Sequence, residues 1–193
     1  MSDLAGKLDI VVLILLSIIS WYIMIGKYGV FRRVKRLHAG FEHAFAGEQN
    51  PGEEDSPLHR IFAYAHSLAR REIPEEKLAV YVEHFAAREL DELETNLTFL
   101  SVTSVVAPLL GLLGTVWGLL VAFHAMALAG SSSIKVVAAG VAEALITTVV
   151  GLLVAVPAAV AFTYFSDRLR KIAGRVDFLL PQIVAAAKQS PRK

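Results

Sequence analysis

The stretch Val136–Phe165, VVAAGVAEALITTVVGLLVAVPAAVAFTYF, decides the fold, because it is long and apolar and its one charged residue is Glu143. A charged side chain at membrane depth costs about 2.5–3.5 kcal/mol on insertion scales, so it usually faces a protein interior or a water-filled path. Two hydroxyls, Thr147 and Thr148, follow Glu143 within about one helical turn. A glutamate and threonines on one membrane helix favour the handling of ions or protons.

The composition of the whole chain is that of a small membrane protein. Of its 193 residues, 55% are hydrophobic, and the mean hydropathy is +0.54, which is high for a soluble domain. The net charge of +1 names no partner, and the lack of cysteine excludes disulfides and thiolate metal sites. The sequence contains no HExxH-like metal spacing, no phosphate-binding or dinucleotide-binding loop and no GxSxG elbow. It therefore predicts no cofactor and no enzyme active site.

A first apolar run, Leu8–Ile25, has about the length that spans a hydrocarbon core. A signal peptide is the competing interpretation. The mixed acidic and basic start at Met1–Asp9 and the interfacial pair Trp21–Tyr22 favour an uncleaved membrane helix instead. Basic clusters follow the first and third apolar runs, at Lys27–Arg36 and Asp167–Lys171. Since such clusters mark cytoplasmic ends, we expect the N-terminus outside and the C-terminus in the cytoplasm.

We therefore predict an all-α membrane protein with three transmembrane helices, two of them long and extending into the cytoplasm. At 1.5 Å per residue, the second and third apolar stretches would each reach about 45 Å, longer than the hydrocarbon core. The predicted segments are an outer N-terminus at 1–7, transmembrane helices at 8–26, 98–128 and 136–165, a cytoplasmic helical region at 27–97, an outer turn at 129–135, and a cytoplasmic C-terminal helix and tail at 166–193.

The cytoplasmic region has its own helical pattern. Proline, glycine and acidic residues predict a loop at Asn50–Pro57, and apolar spacing predicts a helix over Leu58–Glu72. Pro74 followed by two glutamates indicates the start of another helix. Because neither glycine nor proline occurs between Pro74 and Pro108, we expect this helix to continue into the membrane as one rod.

Small residues recur every three or four positions on both long apolar helices. On the second helix they are Ala107, Gly111, Gly114, Thr115, Gly118, Ala122 and Ala125, and the third carries Gly140, Glu143, Thr147, Gly151, Ala155, Ala158 and Ala159 in the same pattern. Small residues let membrane helices approach closely, so these stripes predict helix packing. Whether the stripes serve only packing within one chain stays open. Pro108 and Pro157 fall inside the spans, where a kink is the ordinary expectation.

Three polar positions on these stripes fall at related depths. Counted from the short turn at 1.5 Å per residue, Thr115 and Thr148 both lie about 18–20 Å deep and Glu143 lies about 10 Å deep. A single buried threonine often bonds only the carbonyl one turn back. Two threonines at one level near a glutamate favour a protein-lined path, with Glu143 reaching the outer headgroups as the alternative.

Two motifs resemble one family. Ala107–Gly118, APLLGLLGTVWG, followed by Phe123, resembles the signature of the ExbB/TolQ/MotA proton-channel family, and Gly140–Pro157, GVAEALITTVVGLLVAVP, resembles its third helix. Three spans are similar to the ExbB/TolQ branch, whereas MotA-like chains have four. The resemblance implies a pentamer in the bacterial inner membrane around a small single-span ExbD/TolR-like partner dimer. An aspartate of that partner takes up and releases protons.

The resemblance also assigns roles to residues. Thr115 and Thr148 correspond to ring threonines that face the partner's aspartate, and Glu143 to a pore-lining glutamate. Thr147 replaces a common alanine and adds a hydroxyl to the path. Phe162–Tyr164 departs from the family's Tyr-Asn. The positions expected to serve helix packing and partner contact are Gly111, Gly114, Gly118, Gly140, Gly151, Pro108 and Pro157.

The predicted function is therefore that of a channel or stator subunit in a motor driven by the proton motive force, which energises envelope processes. The alternative is a structural membrane scaffold that oligomerises through its small-residue faces without conducting ions. An intramembrane enzyme would need a nucleophile and base or paired aspartates, and the spans offer neither. The basic cluster at Lys27–Arg36 is expected to meet anionic lipid headgroups rather than nucleic acid.

Overall fold

A computed structural model describes residues 2–46, 56–71, 73–129 and 134–189, in which all regular structure is helical. The helices are α1 (Ser2–Ala46), α2 (Pro57–Ala69), α3 (Glu75–Glu94), α4 (Leu97–Ala129) and α5 (Ile134–Gln189). Three stretches are long and apolar enough to cross a membrane, and they lie within Leu8–Phe45, Glu76–Leu128 and Val137–Gln189. These findings confirm the predicted all-α chain with three candidate membrane helices. Positions 50–55 of the predicted loop and 130–133 of the outer turn lie outside the described residues.

The chain divides into two compact units. The first comprises Met1–Ile25 and Asn96–Tyr164, and the second comprises Gly26–Thr95 and Phe165–Lys193. The first unit contains the apolar parts of α1 and α5 together with α4. The second contains α2, α3 and the remaining parts of α1 and α5.

The first unit buries a small apolar core where its three helices meet. Leu13 of α1 is fully buried in a cluster with Ala107 of α4 and Val154 and Ala155 of α5. The outer faces of the same helices carry large apolar side chains that are about half exposed or more, including Leu109, Leu112 and Val116 on α4 and Val149, Leu153 and Val156 on α5. An exposed apolar surface of this extent marks contact with lipid or with other chains.

The second unit has a conventional core of apolar and aromatic side chains. Phe41 of α1 contacts three rings, with centroid distances of 5.0 Å to His59, 5.8 Å to Phe62 and 5.6 Å to Phe45. α2 and α3 pack against each other, and their fully buried residues include Leu58, Ile61, Ala65, Leu78 and Val82. Burying a side chain of this kind contributes about 1.5–3 kcal/mol, which makes this core the main source of stability in the unit.

Local signals explain where α2 and α3 begin. Ser56 is the N-cap of α2, its hydroxyl accepts a hydrogen bond from the His59 amide, and Pro57 occupies the first turn. This arrangement is typical of helix starts. α3 begins at Glu75 directly after Pro74, which confirms the helix start that the sequence predicts there.

The predicted continuous rod from α3 into the second span is wrong. α3 ends at Glu94, and both the amide and the hydroxyl of Thr95 donate to the Asp91 carbonyl, at 3.0 and 3.1 Å. Asn96 then adopts φ 68°, a left-handed conformation that asparagine tolerates better than most residues. The helix therefore stops and restarts at Leu97 without the glycine or proline that sequence patterns use to mark a break.

Candidate functional site

The contact between α4 and α5 in the first unit depends on glycines. A methyl group built on Gly111 would lie 2.8 Å from the carbonyl oxygen of Thr147, and one on Gly151 would lie 2.6 Å from the carbonyl oxygen of Ala107. Backbone atoms at these distances cannot move aside as the tip of a side chain can. Only glycine at both positions therefore allows the two helices to come this close.

The same contact continues in an antiparallel register towards the C-terminal end of α4 and the N-terminal end of α5. A methyl group on Gly118 would lie 2.7 Å from the side chain of Ala144, and one on Gly140 would lie 2.7 Å from that of Ala122. Gly114 is also enclosed, by Thr147 and by a carboxylate oxygen of α1. Within one chain, Gly111, Gly114, Gly118, Gly140 and Gly151 all lie where neighbouring helices leave no room for a methyl group.

Three threonine hydroxyls converge on the carbonyl oxygen of Gly111, and we call Thr115, Thr147 and Thr148 the hydroxyl cluster. The donor–acceptor distances to this oxygen are 2.9 Å from Thr115, 3.1 Å from Thr147 and 3.0 Å from Thr148. The hydroxyls of Thr115 and Thr148 also hydrogen-bond each other, and Thr147 has a second acceptor, the Ala144 carbonyl, at 2.7 Å. Thr115 and Thr148, which the sequence places at similar depth, are thus in direct contact in this structure.

The hydrogen bonds of this cluster can exchange. A carbonyl oxygen has two lone pairs and each hydroxyl has one proton, so three hydroxyls cannot all make their best bond to Gly111 at once. In the Thr115–Thr148 pair either oxygen can be the donor. Turning both hydroxyls therefore reverses the direction of the pair without moving the backbone, which is what a proton relay or a polar lining requires.

Glu143 lies off this contact. Its side chain is exposed in the single chain, whereas its neighbour Ala144 is buried opposite Gly118. The face of α5 that contacts α4 passes through Gly140, Ala144 and Thr147, so Glu143 lies beside this contact within one chain. A carboxylate exposed on an apolar helix needs water or another chain as its neighbour in a membrane.

The two prolines that fall inside the predicted spans lie within unbroken helices. α4 continues through Pro108 and α5 continues through Pro157. Proline removes one backbone donor from the helix, so the carbonyls of Ser104 and Leu153 have no amide partner one turn on. These positions leave backbone oxygens available within the apolar part of the first unit.

One polar group near the site is not among the candidate residues that the sequence analysis identifies. Asp9 of α1 is half-buried, and its Oδ2 atom is buried and has no hydrogen-bond partner among the described residues. This oxygen lies 2.6 Å from the position that a methyl group on Gly114 would occupy. The signal that finds it is the one that singles out Glu143, an acid inside an apolar run.

Comparisons with known proteins agree with this architecture. The profile of the MotA/TolQ/ExbB proton channel family matches residues 53–177. The chain is 31% identical to the Tol-Pal system protein TolQ of Pseudomonas aeruginosa, over 90% of this chain and 84% of that protein. It is 32% identical to TolQ of Haemophilus influenzae, over 89% of this chain and 83% of that protein.

Another relative has a higher sequence identity to this chain over a shorter aligned stretch. The biopolymer transport protein ExbB of Xanthomonas campestris pv. campestris (strain B100) is 40% identical over 111 residues, which cover 58% of this chain and 42% of that protein. The relatives therefore include both the TolQ and the ExbB kinds. Together with the three apolar helices and the matched profile, they show that this multi-pass membrane protein belongs to the MotA/TolQ/ExbB proton channel family, on its ExbB/TolQ branch.

Proposed function

We propose that the chain is the channel subunit of a motor that uses the proton motive force to energise a process in the cell envelope. The observation that carries the proposal is the hydroxyl cluster, in which Thr115 and Thr148 share a hydrogen bond and both reach the Gly111 carbonyl. Three hydroxyls on one carbonyl are more than packing of two apolar helices requires. They offer donors and acceptors that can reorient, which suits proton passage.

Glu143 supplies the acidic group of the proposed path. Its exposure in the single chain fits a position on a surface that other copies and a partner cover in the assembly. An intramembrane carboxylate is stable when it faces such a path and costly when it faces lipid. Thr115 and Thr148 line the path deeper in the membrane, and Thr147 adds a third hydroxyl beside them.

The assembly proposed is a ring of identical subunits, five by resemblance, around a dimer of a small single-span ExbD/TolR-like protein. The half-exposed apolar side chains on α4 and α5 support an assembly, because one chain leaves much of this surface uncovered. Pro108 and Pro157 are proposed to contact the partner, together with the partly exposed Gly118 and Gly140, while the buried Gly111, Gly114 and Gly151 hold α4 and α5 together. The partner would bring the aspartate that exchanges protons with the path.

The proposed location is the bacterial inner membrane, with the N-terminus outside and the C-terminus in the cytoplasm. Both basic clusters belong to the second unit. Positive charge favours the cytoplasmic side, so the second unit is assigned to the cytoplasm and its clusters to anionic headgroups. The segments at 8–26, 98–128 and 136–165 are the proposed membrane spans.

Proton uptake by vesicles tests this proposal. The chain is reconstituted with and without the small single-span membrane protein encoded beside it, and acidification of the lumen is followed with a pH-sensitive dye under an imposed gradient. We expect flux that depends on the partner and is lost in Glu143→Gln. The matched control is Glu94→Gln, an exposed glutamate of α3 in the second unit.

The outcomes separate channel from scaffold. Partner-dependent flux in wild type and in Glu94→Gln, with loss in Glu143→Gln at unchanged assembly, supports the channel. Absence of flux in any assembly, or full flux in Glu143→Gln, contradicts it. A scaffold that oligomerises through its small-residue faces would then be the function to test.

A further inference from the structure

The carboxyl group of Asp9, on α1, lies close to the hydroxyl cluster. The position of a methyl group on Gly114 is 2.6 Å from Oδ2 of Asp9 and 2.7 Å from Oγ1 of Thr147. Both oxygens therefore occupy the space that the missing side chain of Gly114 leaves, and they lie within about 5 Å of each other by geometry. Gly114 thus provides the gap through which α1 presents an acid to α5.

No hydrogen-bond donor for Oδ2 of Asp9 is found at this gap among the described residues. The Thr147 hydroxyl has two carbonyl acceptors, those of Gly111 and Ala144, and while its one proton is on either of them its oxygen offers only lone pairs to Asp9. Oδ2 of Asp9 is buried without any hydrogen-bond partner among the described residues. An ionised carboxylate accepts hydrogen bonds and donates none, whereas a protonated one donates through its O–H.

In the described parts of α4 and α5, no positively charged residue lies close enough along the helix to stabilise an ionised Asp9. The described part of α4 contains no Lys, Arg, Asp or Glu, and its one titratable residue is His124, about 15 Å along the helix from Gly114 at 1.5 Å per residue. On α5 the nearest charged residues in sequence are Glu143, an acid, and Lys135, about 18 Å along the helix from Thr147. α1 itself carries Asp3 and Lys7 on the N-terminal side.

We propose that Asp9 is a second proton-binding carboxyl of this chain, holding its proton in a hydrogen bond to the Thr147 hydroxyl across the gap at Gly114. The protonated acid donates from its O–H to the Thr147 oxygen, whose own proton stays on the Gly111 or Ala144 carbonyl. Oδ2 of Asp9, which has no hydrogen-bond partner among the described residues, gains one when the two oxygens approach each other across the gap. When Asp9 releases its proton, the Thr147 hydroxyl must turn away from its carbonyl acceptors to keep the contact, so ionisation of Asp9 changes the hydrogen bonds of the hydroxyl cluster.

Asp9 differs from Glu143 in place and in contacts. Glu143 is exposed on α5, whereas Asp9 belongs to α1 and its Oδ2 is enclosed by the same chain. The protonated state of Asp9 rests on contacts within one chain and does not depend on the proposed channel function. Only its influence on flux rests on that function, through Thr147 and the Gly111 carbonyl.

Infrared spectroscopy of the purified full chain in lipid at neutral pH tests the protonation directly. A protonated carboxyl has a carbonyl stretch that is separate from that of a carboxylate and from the amide bands. We expect such a band in wild type, its loss in Asp9→Asn, and its retention in Glu143→Gln and in the control Asp177→Asn, an exposed acid of α5. A band that persists unchanged in Asp9→Asn would overturn the proposal.

A second variant keeps the test decisive if Asp9→Asn fails to fold. Thr147→Val keeps the size of the side chain and removes the acceptor, so we expect the Asp9 band to move to the frequency of a carboxyl without a hydrogen bond. An unshifted band in Thr147→Val would overturn the hydrogen bond. The spectra are recorded in sodium and in choline salts, and a band that appears only without sodium would instead assign the gap to a bound sodium ion.

Flux distinguishes this proposal from the proposed function. If the Asp9 band behaves as expected and no variant or wild-type assembly conducts protons, the proton-binding site stands and the channel function fails. If wild type conducts with its partner and the band is absent, the channel stands and the role of Asp9 fails. We expect Asp9→Asn to reduce partner-dependent flux about tenfold at unchanged assembly.

Discussion

The hydroxyls of Thr115 and Thr148 share a hydrogen bond although they are 33 positions apart in sequence. Both also bind the carbonyl oxygen of Gly111, which is exposed to them because residue 111 has no side chain. The close approach of α4 and α5 and the polar cluster are therefore one feature. Changes that separate the helices are expected to disperse the hydroxyls as well.

Gly151→Ala tests this dependence. The added methyl group would lie 2.6 Å from the Ala107 carbonyl oxygen and 3.1 Å from the Gly111 Cα, so the helices must separate. We expect the free energy of unfolding, measured by SDS titration in mixed micelles, to fall by about 1–3 kcal/mol, the usual cost of overpacking.

Gly174→Ala is the matched control on the same helix. A methyl group there meets nothing within 4 Å, and alanine favours a helix interior by up to about 1 kcal/mol relative to glycine. We expect this variant to be unchanged or more stable. Equal effects of Gly151→Ala and Gly174→Ala would show that the α4–α5 contact does not require glycine.

The ion pair between Arg60 and Glu89 predicts an asymmetric response in the second unit. Glu89 Oε2 lies 2.7 Å from Nε and 2.6 Å from Nη2 of Arg60, and the Glu89 side chain is 7% exposed against 42% for Arg60. Arg60→Met leaves the carboxylate buried without this partner, and we expect a loss of about 3 kcal/mol in the free energy of unfolding. Glu89→Gln leaves a cation that reaches water, so its cost is expected near 1 kcal/mol.

Chemical denaturation of both variants and of the double variant measures this difference. The asymmetry arises because the less exposed partner cannot regain hydration when its counter-charge is removed. A larger loss in Glu89→Gln than in Arg60→Met would contradict the assigned burial of the pair.

His38 predicts a pH dependence of stability in the second unit. The side chain is 2% exposed, and neither ring nitrogen has a hydrogen-bond partner among the described residues. Burial, with smaller contributions from the charges of Arg175 and His59, lowers the pKa of His38 from 6.5 to about 4. Because the unfolded chain takes up the proton first as pH falls, stability is lost between pH 6.5 and about 4 and is level below that range.

His38→Leu removes this titration. We expect thermal unfolding of wild type to shift to lower temperature between pH 6.5 and 4, by a free-energy difference of at most about 3 kcal/mol, and the variant to shift less. His84→Leu, at an exposed histidine of α3, is the control and should keep the wild-type dependence. An identical pH profile in His38→Leu and wild type would assign the dependence to other groups.

The sequence predicts much of this protein because its signals are local. Apolar length predicts the three candidate membrane helices, and glycine spacing predicts the faces on which α4 and α5 meet. Counting residues from the turn is enough to pair Thr115 with Thr148, since both helices rise at the same rate.

The sequence does not predict features that depend on the rotation of a helix about its axis or on the position of a third helix. Gly140, Glu143 and Thr147 fit a spacing of three and four, but a spacing of four and three through Ala144 fits equally well, and only packing decides. The break at Asn96 has no composition signal. The approach of Asp9 to Thr147 requires the position of α1 against α4 and α5, which neither periodicity nor spacing contains.

Partner-dependent proton uptake in Thr148→Ala, compared with Thr163→Ala, tests the central claim most directly. Both threonines lie on α5, but Thr163 is exposed, and its hydroxyl donates to the Ala159 carbonyl of its own helix, at 2.9 Å. We expect loss of flux in Thr148→Ala and full flux in Thr163→Ala, with the same amount of assembled complex in both. Full flux in Thr148→Ala would contradict this claim and would leave the hydroxyl cluster a packing feature.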